Sequence, residues 1–358
     1  MPEMATPEIL TNGNIHFLQV YQFADETAKL AQKLLRIIKT YLNLLRYCVC
    51  TDAQLFHLQW ENKVVFFDRT VLNLFYKLLG KKLVYTAHNV NAGERDGSDS
   101  ALNRFSLKFL YSIVDGIIVH TEKMRDELAA SFKIRRDKVA VLPFGINDTA
   151  PITELSARDA KARLGLNGVH KTLLFFGNIT RYKGLLHLVR ALALLKPTGP
   201  NYRLIVAGRI KKGADDYWQE IDQAIARNDL HEFIIERTEY IPDADIELYF
   251  KAADLLVLPY THIFQSGVLF LSYYFGLPVI VSDVGSLRDD VLEGKTGLVC
   301  KPEDPQDLAA AIERYFASDM YTNLASTRQE ISRFAQERYS WGAIAERTRE
   351  VYGWVMGG

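Results

Sequence analysis

Residues 171–184 run Lys171-Thr172-Leu173-Leu174-Phe175-Phe176-Gly177-Asn178-Ile179-Thr180-Arg181-Tyr182-Lys183-Gly184. From Leu173 to Phe176 every position is apolar, odd and even alike. A strand with that pattern is buried on both faces, as strands of parallel sheets are. Gly177 closes the run and lets a ligand approach the backbone. A leucine-rich helical stretch follows over 183–195, and Arg181 and Lys183 stand at its start. A helix N-terminus has unpaired N–H groups and the positive end of the helix dipole, so two cations beside it make a phosphate site. An ordinary solvated strand-to-helix loop has the same local sequence, so this stretch decides the fold and leaves the function open.

The same alternation extends in both directions. After residue 171 the expected strands are Lys171–Phe176, Tyr202–Ala207, Phe233–Glu236, Leu255–Pro259, Pro278–Ser282 and Gly297–Cys300. Amphipathic stretches at 183–195, 214–228, 243–252, 266–275, 304–318 and 321–338 lie between or after them. Before it, strands are expected at Ile15–Val20, Leu55–Trp60, Lys82–Thr86, Gly116–His120 and Val139–Pro143. Helices are expected at 28–47, 101–114 and 122–131, the first with Leu30, Leu34, Ile37, Ile38, Tyr41, Leu42 and Leu45 on one face. Phe144–Ala150, with Gly145, Asn147 and Asp148 before Pro151, reads as a linker. Alternating strands and helices predict α/β architecture with two doubly wound parallel sheets, whose ligands sit beyond the carboxyl ends of the strands. The boundary falls near 148, giving domains of 1–148 and 149–339. A final helix over 340–358, with Ile344, Thr348, Val351 and Tyr352 on one face, is expected to cross back to the first domain.

Composition narrows the classes. The chain has 358 residues, 48% hydrophobic and 24% charged, with a formal net charge of zero. That is a globular composition with room for two cores. Nothing in it points to nucleic acid. Three cysteines, Cys48, Cys50 and Cys300, make neither a disulfide framework nor a zinc spacing, which fits a reducing cytoplasm. No apolar run of membrane-spanning length and no signal peptide is read.

Three further places carry chemistry. Leu255–Tyr260 leads through Gln265-Ser266-Gly267-Val268-Leu269 into a helix, with Ser266 as the expected N-cap. Lys82–Thr86 delivers His88 and Asn89 at its carboxyl end, with Glu94 and Arg95 after them. Asp243 and Asp245 open a helix after Pro242 and read as first-turn acids rather than a metal pair. Asp115 and Asp254 each end a helix before a strand and read as structural. Lys29, Lys33, Arg36 and Lys39 on the first helix, with Lys77, Lys81 and Lys82, form a basic face able to rest on an anionic membrane. A solvated helix face is the plainer reading of the same residues.

The ordered set resembles the donor-binding half of the family-4 glycosyltransferases, which have the two-domain GT-B fold. It comprises Leu174-Phe175-Phe176-Gly177, Tyr182-Lys183-Gly184, Leu204-Ile205-Val206-Ala207-Gly208, Leu258-Pro259-Tyr260, Gln265-Ser266-Gly267, Gly276-Leu277-Pro278 and Gly294-Lys295-Thr296-Gly297. In the first half Thr86-Ala87-His88-Asn89, Val119-His120-Thr121 and Leu142-Pro143-Phe144-Gly145 match as well. The resemblance implies a retaining, metal-independent transferase that uses a nucleotide-sugar donor and no cofactor. It makes His88, Arg181 and Lys183 the catalytic residues. Gly177, Asn178, Gln265, Ser266, Gly267, Val268 and Leu269 become donor-binding, and Asn89, Glu94 and Arg95 lie on the acceptor side.

Three departures accompany it. The family's arginine after the first glycine is Asn178 here, with Arg181 as its expected replacement. The family's two glutamates, eight positions apart, are Ile263 and Leu271, as in a branch that carries Gln-Ser-Gly-Val in this loop. Met1–Asn14 shows no opening strand and glycine-rich loop. The expected function is sugar transfer to a saccharide or lipid-linked saccharide in cell-surface polysaccharide or glycolipid synthesis, in the cytoplasm or at the inner face of the membrane. The alternatives are a silent GT-B subunit that activates a partner, and a GT-B epimerase or sugar phosphorylase.

Overall fold

The computed structural model describes residues 30–357 apart from 92, 94–98, 147–149, 200 and 264. The expected strand Ile15–Val20, the segment Met1–Asn14, and Lys29, Glu94 and Arg95 lie outside the described residues.

Two compact units emerge. The first takes the described residues up to Thr86 together with Ala101–Gly116, and the second takes those of Ala87–Ser100 with Ile117–Gly358. In the first unit, helix α1 (Leu30–Cys50) precedes strand β1 (Leu55–Leu58). A helical run over 65–78, α2, includes a π-helical segment Asp68–Leu72, and strand β2 (Lys82–Thr86) and helix α3 (Ala101–Ile113) follow. β1 and β2 pair in parallel, Leu55 opposite Lys82. Only one edge of the expected apolar face of α1 is covered: Ile37, Tyr41 and Leu45 are half-buried. Thr40 and Cys48 are buried, while Leu34, Ile38 and Leu42 are 57%, 47% and 59% exposed. The Tyr41 hydroxyl fixes this rotation by donating to Asp68 at 2.8 Å, and it accepts from the Val64 N–H.

The expected basic cluster of this unit is tied down. Lys77 pairs with Asp115 at 2.6 Å, Lys82 lies 3.6 Å from the same carboxylate, and Lys81 donates to the Thr51 and Ala53 carbonyls. Asp115 also accepts the Leu83 N–H, so it is structural as expected.

Strand β3 (Gly116–Val119), which belongs to the second unit from Ile117 on, is followed there by helix α4 (Glu122–Phe132) and strand β4 (Val139–Val141), with β3 and β4 parallel. The rest builds a six-stranded sheet. Helix α5 (Ala157–Arg163) leads to β5 (Lys171–Phe176), α6 (Leu185–Leu195), β6 (Tyr202–Ala207), α7 (Asp215–Arg227), β7 (Ile234–Arg237), α8 (Asp243–Ala252) and β8 (Leu255–Leu258). Then come α9 (Gly267–Tyr274), β9 (Val279–Ser282), β10 (Gly297–Cys300), α10 (Pro305–Phe316), α11 (Leu324–Tyr339) and α12 (Trp341–Met356). The strand order is β10-β9-β8-β5-β6-β7, and every pair is parallel.

Alternation along these strands feeds two cores. Leu173, Phe175, Leu204 and Val206 point to one face, and Leu174, Phe176, Ile205 and Ala207 to the other. Asp254 is structural: Lys161 pairs with it at 2.7 Å and it accepts the Thr172 N–H, both groups being buried. Two such charges out of water are tolerated because each is paired and hydrogen-bonded.

Candidate active site

The carboxyl ends of β5, β6 and β8 meet in one place, and glycines allow it. Gly177 has φ +100° and Gly208 φ +140°. A Cβ on Gly208 would stand 2.4 Å from the Gly177 carbonyl oxygen, so the ends of β5 and β6 touch backbone to backbone. Gly184, at φ +70°, would place a Cβ 1.8 Å from the Pro259 oxygen. The loop after β5 is thus pressed on the end of β8, and Thr261 N–H donates to the Tyr182 carbonyl at 2.8 Å.

Lys183 is buried and its ammonium hangs over Gly177, 2.8 Å from where a Cβ would be. The same position lies 3.6 Å from Val268 in the first turn of α9. Lys183 therefore converges with a helix N-terminus. The tyrosine ring of Tyr260 lies 5.6 Å beneath the ammonium, and among the described residues no carboxylate pairs with it. Burial pulls its pKa below the ordinary lysine value. A desolvated cation without a counter-charge is costly until an anion arrives. Ser266 occupies the N-cap position of α9 without capping it: its hydroxyl lies 3.4 Å from that of Tyr260 instead. The first N–H groups of α9 are left without a side-chain acceptor. Leu269 contributes only backbone, its side chain being in the core.

Arg181 is held elsewhere. Its guanidinium makes two bonds to Glu220, at 2.9 and 2.5 Å, and lies 4.8 Å from the Tyr217 ring centre. The structure does not bring it to Lys183. Asn178 instead accepts from Arg209 Nε at 3.2 Å, a residue the sequence reading passed over. The signal was weak, since Arg209 follows a different strand and only the β5–β6 adjacency places it beside Asn178.

His88 is set by a second histidine. His120 Nδ1 lies 3.1 Å from the Leu142 carbonyl, and His120 Nε2 lies 3.0 Å from His88 Nδ1. A carbonyl only accepts, so His120 carries its proton on Nδ1. Burial lowers the His120 pKa, which disfavours the charged ring. Its Nε2 is then a lone pair, and His88 donates from Nδ1. Phe144 contacts both rings, stacks on Phe270 of α9 at 5.9 Å, and lies 3.9 Å from the Gly267 Cβ position. His88 is thus linked through one aromatic ring to the N-terminus that Lys183 approaches. Asn89 is half-buried beside it.

Gln265 turns to Asp290, donating from Nε2 to Oδ2 at 3.1 Å, and its buried Oε1 finds no acceptor role among the described residues. Burial pushes the Asp290 pKa up to about 6. Asp290 lines a pocket of about 590 Å³ with His120, Thr121, Pro143, Arg338 and Tyr339. Lys123 of α4 spans to the Gly285 carbonyl at 2.5 Å and to Asp289 at 3.4 Å. At the family's glutamate positions, Leu271 is buried in the core of the six-stranded sheet and Ile263 packs half-buried against it. Asp243 and Asp245 are exposed in the first turn of α8, and no described cluster of three or more His, Cys, Asp or Glu is arranged to hold a metal.

Two family models match the chain. Residues 14–150 match that of Glycosyltransferase Family 4, and residues 170–318 that of Glycosyl transferases group 1. A D-inositol 3-phosphate glycosyltransferase of Corynebacterium diphtheriae is 26% identical over 286 residues, 76% of this chain and 65% of that protein. A glycogen synthase of Mycobacterium tuberculosis is 27% identical over 283 residues, 75% of this chain and 62% of that one. The chain thus spans just under two thirds of these relatives' length. By structure, sucrose-phosphate synthase of Thermosynechococcus elongatus superposes with a TM-score of 0.75 at 21% identity, covering 94% of this chain and 82% of the other. Anabaena HepE in complex with UDP gives 0.75 at 19%, covering 91% and 84%. The fold is GT-B, and along its sequence the chain is similar to the family-4 and group-1 glycosyltransferases over residues 14–150 and 170–318.

Proposed function

We propose that the protein transfers a sugar from a nucleoside-diphosphate sugar to a saccharide or lipid-linked saccharide, with retention of configuration. Residues 149–339 hold the donor and residues 1–148 the acceptor. The observation that carries this reading is the buried Lys183 ammonium, unmatched by any described carboxylate, at the point where the Gly177 loop meets the α9 N-terminus. A leaving diphosphate gains negative charge as the glycosidic bond breaks, and a preorganised cation with helix N–H groups stabilises it without a metal. Homologous folds support the donor class, since HepE has been solved with UDP and with UDP-glucose.

In this mechanism Lys183 and the first N–H groups of α9 face the diphosphate. His88 stands beside the sugar, and Gln265 supplies a polar contact to it. The test is incubation with a panel of UDP- and GDP-sugars and a lipid-linked saccharide mixture, following labelled sugar into product. Transfer that persists in chelator is the expected result. No transfer and no nucleotide binding would overturn the reading.

A second reading, a silent subunit that activates a partner, draws on Ile263 and Leu271, which cannot offer a carboxylate to the donor. Nucleotide binding without transfer, by the chain alone, would favour it. A lipid-linked acceptor is supported by α1. Its exposed Leu34, Leu35, Ile38 and Leu42 lie beside Lys39 and Arg46, and the described helix has no acidic residue. Such a face suits an anionic bilayer surface. Co-sedimentation with anionic but not zwitterionic vesicles is expected, and equal recovery with both would contradict it. Among the described residues no helix is long and apolar enough to cross a membrane.

A further inference from the structure

A diphosphate carries more charge than one ammonium matches, and Lys183 is a point charge without a fork. The loops after β5 and β6 run side by side at this place. Gly177 N–H donates to the Ala207 carbonyl and Ile179 N–H to the Arg209 carbonyl, each at 2.9 Å, and Ile179 bridges Ile210 in parallel. This register sets Asn178 and Arg209 next to one another. Arg209 Nε gives its proton to Asn178 Oδ1 at 3.2 Å. One of the guanidinium's five donors is used there, and the terminal NH₂ groups keep theirs. Among the described residues no carboxylate pairs with Arg209, and the side chain is exposed. Arg181, the arginine of the β5 loop, has its terminal groups on Glu220.

We propose that Arg209, oriented by Asn178, is the second phosphate-binding cation of the donor site. The inference rests on the nucleotide-sugar reading above and adds to it the residue that supplies the planar fork. Gly177 lies against both loops: Lys183 Nζ is 2.8 Å from its Cβ position, its carbonyl is 2.4 Å from the Cβ position of Gly208, and Arg209 follows Gly208 and bonds Asn178, which follows Gly177. A phosphate lying over Gly177 is thus reached from one side by the ammonium and from the other by the guanidinium. Asparagine at 178 and arginine at 209 exchange the work between two adjacent strand ends: the cation comes from β6 and its anchor from β5.

The experiment is titration calorimetry of UDP against the full chain and four variants, Lys183→Ala, Arg209→Ala, Asn178→Ala and Arg181→Ala. Arg209→Ala is expected to weaken UDP about tenfold, as loss of a charge-assisted contact does. Asn178→Ala is expected to weaken it about two- to threefold, since the guanidinium remains but loses its anchor. Arg181→Ala should stay within about twofold of the parent. If Lys183→Ala loses affinity while Arg209→Ala matches the parent, the inference falls and the nucleotide site stands. If Arg181→Ala loses as much as Lys183→Ala, the fork belongs to Arg181. If the parent binds neither UDP nor GDP, the functional reading itself fails. Arg209 is exposed, so an unchanged melting temperature separates lost binding from lost folding.

Discussion

Helices α1 and α6 are both rich in leucine, yet they meet different surroundings. Seven of the eleven residues of α6 are buried, Leu185, Leu188, Val189, Ala191 and Leu192 completely. In α1, Thr40 and Cys48 are the buried residues of Ala31–Cys50, and Leu34, Leu35, Ile38 and Leu42 face outward. The strands differ in the same way: β8 and β9 are buried at every position, while β1 is half-buried throughout. An apolar stripe therefore indicates a helix but not which side a sheet will cover. Where helices cover both faces of a sheet, as around β5 and β8, the loops at the strand ends are held by backbone packing. That rigidity is what a charge-binding site needs.

The comparison can be broken most forcefully by truncation. Leu188→Ala in α6 is expected to cost about 3–4 kcal/mol of stability, as a buried leucine does. Leu42→Ala in α1 is expected to change it by less than about 0.5 kcal/mol. Chemical denaturation monitored by circular dichroism reads both. Equal losses would mean that α1 is covered after all.

Glycines sharpen the same contrast. Gly80 and Gly184 share a left-handed φ, +77° and +70°, but a Cβ at Gly80 meets nothing within 4 Å while one at Gly184 strikes the Pro259 carbonyl at 1.8 Å. Gly80→Ala should cost about 1 kcal/mol, the conformational term alone. Gly184→Ala should cost about 3 kcal/mol or more, because backbone must move. Matching melting temperatures for the two variants would show that the β5 loop is not pressed on β8.

A smaller effect is pH-dependent. Burial raises the Asp290 pKa to about 6 in the folded chain, above its ordinary value of 3.8. The folded state therefore favours the neutral acid, and its stability falls as pH rises through that window. Asp290→Asn is expected to equal the parent near pH 4 and to exceed it by about 1–3 kcal/mol at pH 7. A gap that stayed constant from pH 4 to 7 would place the carboxyl in water.

Much of this architecture was legible. Lys171–Phe176, Tyr202–Ala207 and Gly297–Cys300 fall where the apolar runs between glycines put them, since two-sided burial leaves no other pattern. Lys183, Gly177 and Val268 come together as the order of strand ends implies, while His88 is linked to that place only through the Phe144 ring. What stayed hidden depends on neighbours distant in sequence. Residues 65–78 mix apolar and charged positions without a clean period, because a π-helical turn at Asp68–Leu72 shifts the register. The rotation of α1 is fixed by Tyr41 and Asp68, and the diversion of Arg181 by Glu220, 39 positions away. His120 became part of the site through a ring contact 32 positions back.

Hydrogen exchange measured by mass spectrometry, with and without saturating UDP, tests the central claim most directly. Nucleotide held by the Gly177 loop and the α9 N-terminus should slow exchange in peptides spanning 177–184 and 265–270. Exchange across 55–86, in the first unit, should be unchanged. Protection over 55–86 with none at 177–184 would contradict the account.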